Sequence, residues 1–176
     1  MPKVTVTEYV SLDGVFEEPG QWSFPFWTDE VANWKFDELH AADAQLLGRV
    51  TYEGFAAAWP TMTDEAGFAD RMNGMQKYVV SSTLTDPSWT NTKVISVDAI
   101  RGLPEENILV AGSGRLVDTL FREGLVDELR LLVHPIVLGS GRQLFHDGLP
   151  TTSLTLEDQQ TFSTGVLALT YRRPAA

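Results

Sequence analysis

Three short stretches place glycine, hydroxyl or guanidinium groups directly after apolar runs. In VAGSGRLVDTL, Ile108–Val110 give way to Gly112, Ser113 and Gly114, and a helical pattern carrying Arg115 and Leu116 follows. Glycines let a backbone approach a ligand closely, and a helix N-terminus offers free N–H groups to an anion. LLGRVTYEGF repeats the arrangement: Gly48 ends a run, Arg49 offers a bidentate fork, and Thr51 adds a hydroxyl in the first helical turn. VVSSTL sets Ser81 and Ser82 at a third such end. Open α/β sheets bind ligands outside the carboxyl ends of their strands. The coincidence of three suitable ends points to a phosphorylated cofactor, and each alone also reads as a tight turn. The dinucleotide fingerprint G-x-G-x-x-G is incomplete, because Val117 stands where its third small residue belongs.

Proton chemistry has two acidic candidates. Asp13 lies in SLDG, and either donates a proton or makes an Asp-Gly turn. Asp29 stands in the first turn of a helix, where it either reaches a substrate or complements the helix dipole. Trp22, Phe24, Phe26 and Trp27 crowd one loop. They read as a wall for a flat heterocycle, with Trp22 and Trp27 foremost, or as loop anchors and subunit contacts. Asp43 reads as a carboxylate bonding backbone amides, and His134 as a satisfied core histidine.

The elements that must hold these groups follow from periodicity. Lys3–Val10 alternates as a strand, and a turn-rich loop runs over 11–27. Thr28 caps a helix reaching about Ala42, Ala44–Gly48 is a short buried strand, and a helix over 49–59 stops at Pro60. A helix over 64–74 and strands at Lys77–Ser82, Lys93–Val97 and Asn107–Gly112 come next. A helix from Ser113 to Glu123 precedes a long strand over 126–139, broken at Pro135. Two alternating segments, 153–162 and 165–173, close a hairpin. Strands alternating with helices and ending in antiparallel pairing describe one α/β domain with a mixed sheet. Residues 173–176 read as a flexible tail.

Composition narrows the classes. A net charge of -11, with scattered basic residues, argues against nucleic acid. There is no cysteine, and the three histidines lie far apart, so no metal site is expected. No stretch approaches the roughly 20 apolar residues of a membrane span, and the first residues alternate like a strand, so the cytoplasm is the expected compartment.

The order of SLDG, DAQLLGRVTYEGF, KYVVSSTL, ILVAGSGRL, GLVDELRLLVHPIVLGSGRQLF and FSTGVLALTYRR resembles the dihydrofolate-reductase-like family, and within it the reductase domain of the bifunctional riboflavin-biosynthesis deaminase-reductase. The resemblance spans Val4 to Arg172. It implies a three-layer α/β sandwich that binds NADPH, a homodimer, and hydride transfer to a pterin-like, folate-like or ribosylaminopyrimidine-like substrate. By matching position it implies that Gly48, Arg49 and Thr51 lie along the adenosine-side phosphates. Ser81 and Ser82 would sit near the 2′-phosphate with Arg49 as its cationic partner, Gly112–Leu116 would wrap the pyrophosphate, and the loop from Ser11 to Val15 would cover the nicotinamide and substrate. The glycine loop is then a pyrophosphate cradle. The alternative is an NADPH-binding protein of the same fold without turnover.

Overall fold

The computed structural model describes residues 1–174. Six strands alternate with four helices before a terminal hairpin: β1 (Lys3–Val10), α1 (Asp29–Ala41), β2 (Ala44–Gly48), α2 (Arg49–Ala58), α3 (Phe68–Gly74), β3 (Gln76–Val80), β4 (Thr92–Ile95), β5 (Asn107–Val110), α4 (Gly114–Arg122), β6 (Glu128–Val133), β7 (Thr155–Thr161) and β8 (Leu167–Arg172). All join one sheet in the order β4-β3-β2-β5-β1-β6-β8-β7. Strands β1 to β6 pair in parallel, and β8 runs antiparallel to both β6 and β7. A parallel strand must be covered on both faces. Accordingly Val4, Val6, Leu46 and Val110 pack with Leu116, Val117 and Leu120 of α4 on one side. Leu47, Val79 and Leu109 pack with Leu39 of α1, Tyr52 of α2 and Met72 of α3 on the other. This is the three-layer mixed sandwich anticipated from the sequence. Among the described residues, no helix is long and apolar enough to cross a membrane.

Three boundaries differ from expectation, each for a local reason. Helix α3 starts at Phe68 because the Asp64 carboxylate accepts from the Phe68 and Ala69 amides (2.9 and 2.6 Å), capping it from beyond Gly67. At its other end the buried Lys77 ammonium donates to the carbonyls of Met72, Asn73 and Met75, 4.3 Å from the Trp89 ring centroid. Burial pulls this lysine down to about 8. Strand β6 ends at Val133 rather than continuing to 139. The His134 amide still donates to Val10 O, but Pro135 has no N–H and the Ile136 amide turns back to His134 O. At the C-terminus, the Arg173 side chain donates to Gly124 O (2.6 Å) and its amide to Asp127 O, so Arg173 is held against the domain rather than free. Ala175 and Ala176 lie outside the described residues.

Candidate active site

Strand β5 stops early. Its pairing with β1 ends at Val6↔Val110 and with β2 at Leu46↔Val110, while β1 continues beside β6 to Val10↔Val133. Past Val110 the sheet therefore opens between β1 and the start of α4. A cleft of about 980 Å³ lies over this opening, walled by α1, α2, α3, the α4 N-terminus and residues 16–19 of the long loop.

The glycine turns meet at one end of the cleft. The Gly48 amide donates to Gly112 O (3.1 Å), tying the β2 and β5 exits together. A side chain at either glycine would collide. A Cβ on Gly48 would stand 2.9 Å from Ser113 Cβ, and one on Gly112 would stand 2.9 Å from Thr51 Oγ1. Gly112 also has φ +99°, which L side chains rarely adopt, and the Gly112–Ser113 peptide is cis. The first amides of α4 have no intrahelical acceptor. Arg49, Arg115 and Arg142 line the same end, with Arg49 Nη1 donating to both oxygens of Glu53 (2.7 and 2.9 Å). Over the α4 N-terminus lies the Phe16 ring, which a Cβ on Gly114 would strike. The spacing of these glycines therefore leaves a backbone-lined cradle with cations around it.

Not every expected residue reaches the cleft. Leu116 turns into the core, leaving only its backbone for the cradle. Ser81 follows Val80, the register partner of Gly48, but its Oγ accepts from the Thr83 and Leu84 amides, and neither Ser81 nor Ser82 lines the cleft. Asp13 accepts from Ser11 Oγ (2.6 Å) and from the Leu138 and Gly139 amides (3.1 and 2.8 Å). These bonds hold its carboxyl down to about 2, so it is ionised at neutral pH and has no proton to give. Its place is that of a loop anchor, not a proton donor into the cleft. Asp29 is exposed in the first turn of α1 and lies outside the cleft. Trp22 is buried, its ring edge-on to His134 (5.2 Å) and its indole N–H bonded to Glu17 O, while Trp27 is exposed. Neither lines the cleft, so the loop reaches it with Phe16, Glu17, Glu18 and Pro19 instead. His134 is buried with Nδ1 2.9 Å from Leu132 O, and Asp43 accepts from the Asn107 amide, both as structural readings require.

The floor of the opening holds groups that sequence reasoning missed. Glu8 of β1 is buried there, and its Oε1 has no hydrogen-bond partner. Burial raises its carboxyl to about 8, against the pull of Lys35 and with the push of Glu38, so it is largely neutral at pH 7. Lys35 of α1 donates to Thr7 Oγ1 (2.9 Å) and to Glu38 Oε2. Burial pulls its ammonium down, but Glu38, Tyr9 and Glu8 together carry it above its ordinary value. Gln45 of β2 adds a second buried oxygen without a partner, while its amide nitrogen donates to Met72 Sδ. One signal was available: a glutamate inside a strand destined to be covered on both faces. Among the described residues, no cluster of metal-binding side chains occurs.

A mostly parallel sheet with one reversed strand, covered by helices on both faces, is a dihydrofolate-reductase-like α/β fold. The dihydrofolate reductase of Enterococcus faecalis, solved with NADP(H) and RAB-propyl, shares the fold at TM-score 0.66 and 14% identity, over 98% of this chain and 97% of that one. A protein of Shewanella sp. PV-4 shares it at TM-score 0.81 and 20% identity, over 98% and 99%. Residues 2–168 match the RibD C-terminal domain, and the chain belongs to that family. An uncharacterized Bacillus subtilis (strain 168) protein, YyaP, is 31% identical over 143 residues, covering 77% of this chain and 76% of YyaP.

Proposed function

We propose that this protein is an NADPH-dependent reductase that delivers hydride to a small heterocyclic or carbonyl substrate at the opening between β1 and β5. The observation that carries the reading is the cradle formed by Gly48 and Gly112, where any Cβ would fill the space, beside a buried carboxylic acid. The residues present fit a dinucleotide. The amides of Gly114 and Arg115 would take the diphosphate and Arg115 would offset its charge, while Arg49 would be the cationic partner of the 2′-phosphate. Ser81 and Ser82, at the same sheet edge as Arg49, would meet the 2′-phosphate after the Ser81 turn rearranges. When bound, the cofactor supplies the hydride. The chain's own part is to exclude water, orient the substrate and hold a proton on Glu8, near which the Lys35 ammonium is tied to Thr7 and Glu38. A cytoplasmic homodimer completes the reading, and a monomeric mass in solution would count against that last part.

The test is a titration with NADPH and NADH, read by nicotinamide fluorescence and by energy transfer from Trp59 in the cleft wall. Saturable binding with NADPH preferred is expected. No binding of either cofactor would overturn the reading, and binding without turnover on any substrate would leave a cofactor-binding protein of this fold.

A further inference from the structure

Charge is distributed unequally along the cleft. Its three arginines all belong to the phosphate end: Arg49 starts α2, Arg115 lies in the first turn of α4, and Arg142 stands 5.8 Å from the Phe16 ring centroid. The remaining cation, Lys35, is already engaged by Glu38 and Thr7. Away from the cradle the wall is aromatic and aliphatic. Trp59 stands at its centre, with ring centroids 6.3 Å from Phe55 and 5.4 Å from Phe68, and Leu39 and Met72 continue it. The buried oxygens without a hydrogen-bond partner at the base of this chamber are those of Glu8, Gln45 and Glu38, and the Glu38 oxygen has the Arg130 guanidinium 3.7 Å away.

An anionic substituent in this chamber would lose its hydration with no free cation to replace it. It would also approach Glu38, whose carboxylate is buried, in a chain of net charge -11. An apolar ring system loses nothing there and buries its faces against Phe55, Trp59 and Phe68. A single carbonyl pointing inward would accept a hydrogen bond from the neutral carboxylic acid of Glu8, removing the cost of an unpaired buried group.

We infer that the inner chamber takes an uncharged, flat, mainly apolar substrate bearing one carbonyl head group held by Glu8, and excludes substrates that carry a phosphate or carboxylate tail. The inference rests on the reductase reading for its chemistry. In that reaction hydride adds to the carbonyl carbon, the C=O π pair moves to oxygen, and oxygen takes the Glu8 proton. NADPH is oxidised to NADP⁺, and Glu8 regains its proton from water.

Binding tests the class without needing turnover. Quenching of tryptophan fluorescence by 2-acetylnaphthalene is compared with quenching by 6-acetyl-2-naphthoic acid and by 2-ethylnaphthalene, with and without saturating NADPH. The neutral ketone should bind at least ~10-fold tighter than the carboxylate, since one unsatisfied buried group costs ~1–3 kcal/mol or more. It should also bind tighter than the ethyl compound, and Glu8→Leu should erase that second preference. Phe55→Arg should narrow or reverse the discrimination against the carboxylate. Equal or tighter binding of the carboxylate by the unaltered protein overturns the inference, as does the absence of quenching by the ketone. Failure of NADPH to bind while the ketone preference stands refutes the cofactor reading alone.

Discussion

Glu8→Gln separates a buried neutral acid from an ordinary surface glutamate, and does so without any substrate. In the unfolded chain the Glu8 carboxyl titrates near 4.5, and in the folded protein burial raises it to about 8. Below the lower value both states hold the proton. Between the two values the unfolded chain has released it while the folded protein keeps it, so stability falls as pH rises. Above about 8 both states are ionised and the loss is complete. The interval corresponds to ~5 kcal/mol at about 1.4 kcal/mol per tenfold change in proton affinity. Water entering the open cleft screens part of this, which leaves an expected ~2–5 kcal/mol. Gln carries no charge at any pH, so the difference between the proteins isolates this one group from His134 and every other titrating side chain. Urea unfolding of both proteins at intervals from pH 5 to 9 should show the Gln variant gaining steadily on the parent. With a slope of ~1–3 kcal/mol per molar urea, the midpoints should part by roughly 1–2 M at the alkaline end. A difference that stays flat across that range, or grows in the other direction, would refute the assignment of Glu8 as the neutral acid of the site.

Arg49→Ala should weaken NADPH by ~10–100-fold, the worth of a charge-assisted hydrogen bond, and NADH much less; equal losses would remove Arg49 from the 2′-phosphate end. Gly112→Ala should lower stability by ~1–3 kcal/mol through its positive φ and its contact with Thr51, and should abolish saturable NADPH binding. Adding Thr51→Ala should relieve only the collision, as urea unfolding will register. Asp13→Asn should speed hydrogen exchange at the Leu138 and Gly139 amides. The stability it costs should be present above about pH 4 and vanish on acidification through the low range where the native carboxyl titrates; lost turnover with unchanged exchange would restore Asp13 as a catalytic group. Lys77→Met should flatten a rise in stability that the parent shows from about pH 8 upward, because the unfolded lysine keeps a proton that the buried one has released. Parallel curves for parent and variant would show that Lys77 remains charged in the fold.

Legibility in the sequence divided along physical lines. Strand Ala44–Gly48 was readable to the residue because its apolar run ends at a glycine and a helical pattern begins at once. The glycine cradle was readable for the same reason: Gly48, Gly112 and Gly114 sit where strands stop. The start of α3 was not, since its cap comes from Asp64, outside the helix, across a turn that needs Gly67 at positive φ. The acid of the site was hidden by its own surroundings. In KVTVTEYV, Glu8 lies in phase with Val4, Val6 and Val10, on a face that alternation sends to the interior, and nothing local shows that β5 stops at the level of Val6 and opens the sheet beside it. Lys35 and Glu38 are charged residues one helical turn apart, a spacing that solvent-facing helix surfaces share, and only the packing of α1 over β1 buries their charges near Glu8.

The placement of β1 has a consequence for how the chain is made. The first strand is an inner one, flanked by residues 107–110 on one side and 128–133 on the other. The Val4 amide bonds the Asp127 carboxylate across 123 positions. At ~5–20 residues per second on the ribosome, that separation lasts ~6–25 s. During this time an apolar strand with two unpaired edges waits for both neighbours to be synthesised. Such long-range parallel pairing folds slowly and leaves surface open to association meanwhile. The yield of native protein should therefore depend on translation speed and on chaperones that shield the unpaired β1, more than on the stability of the finished fold.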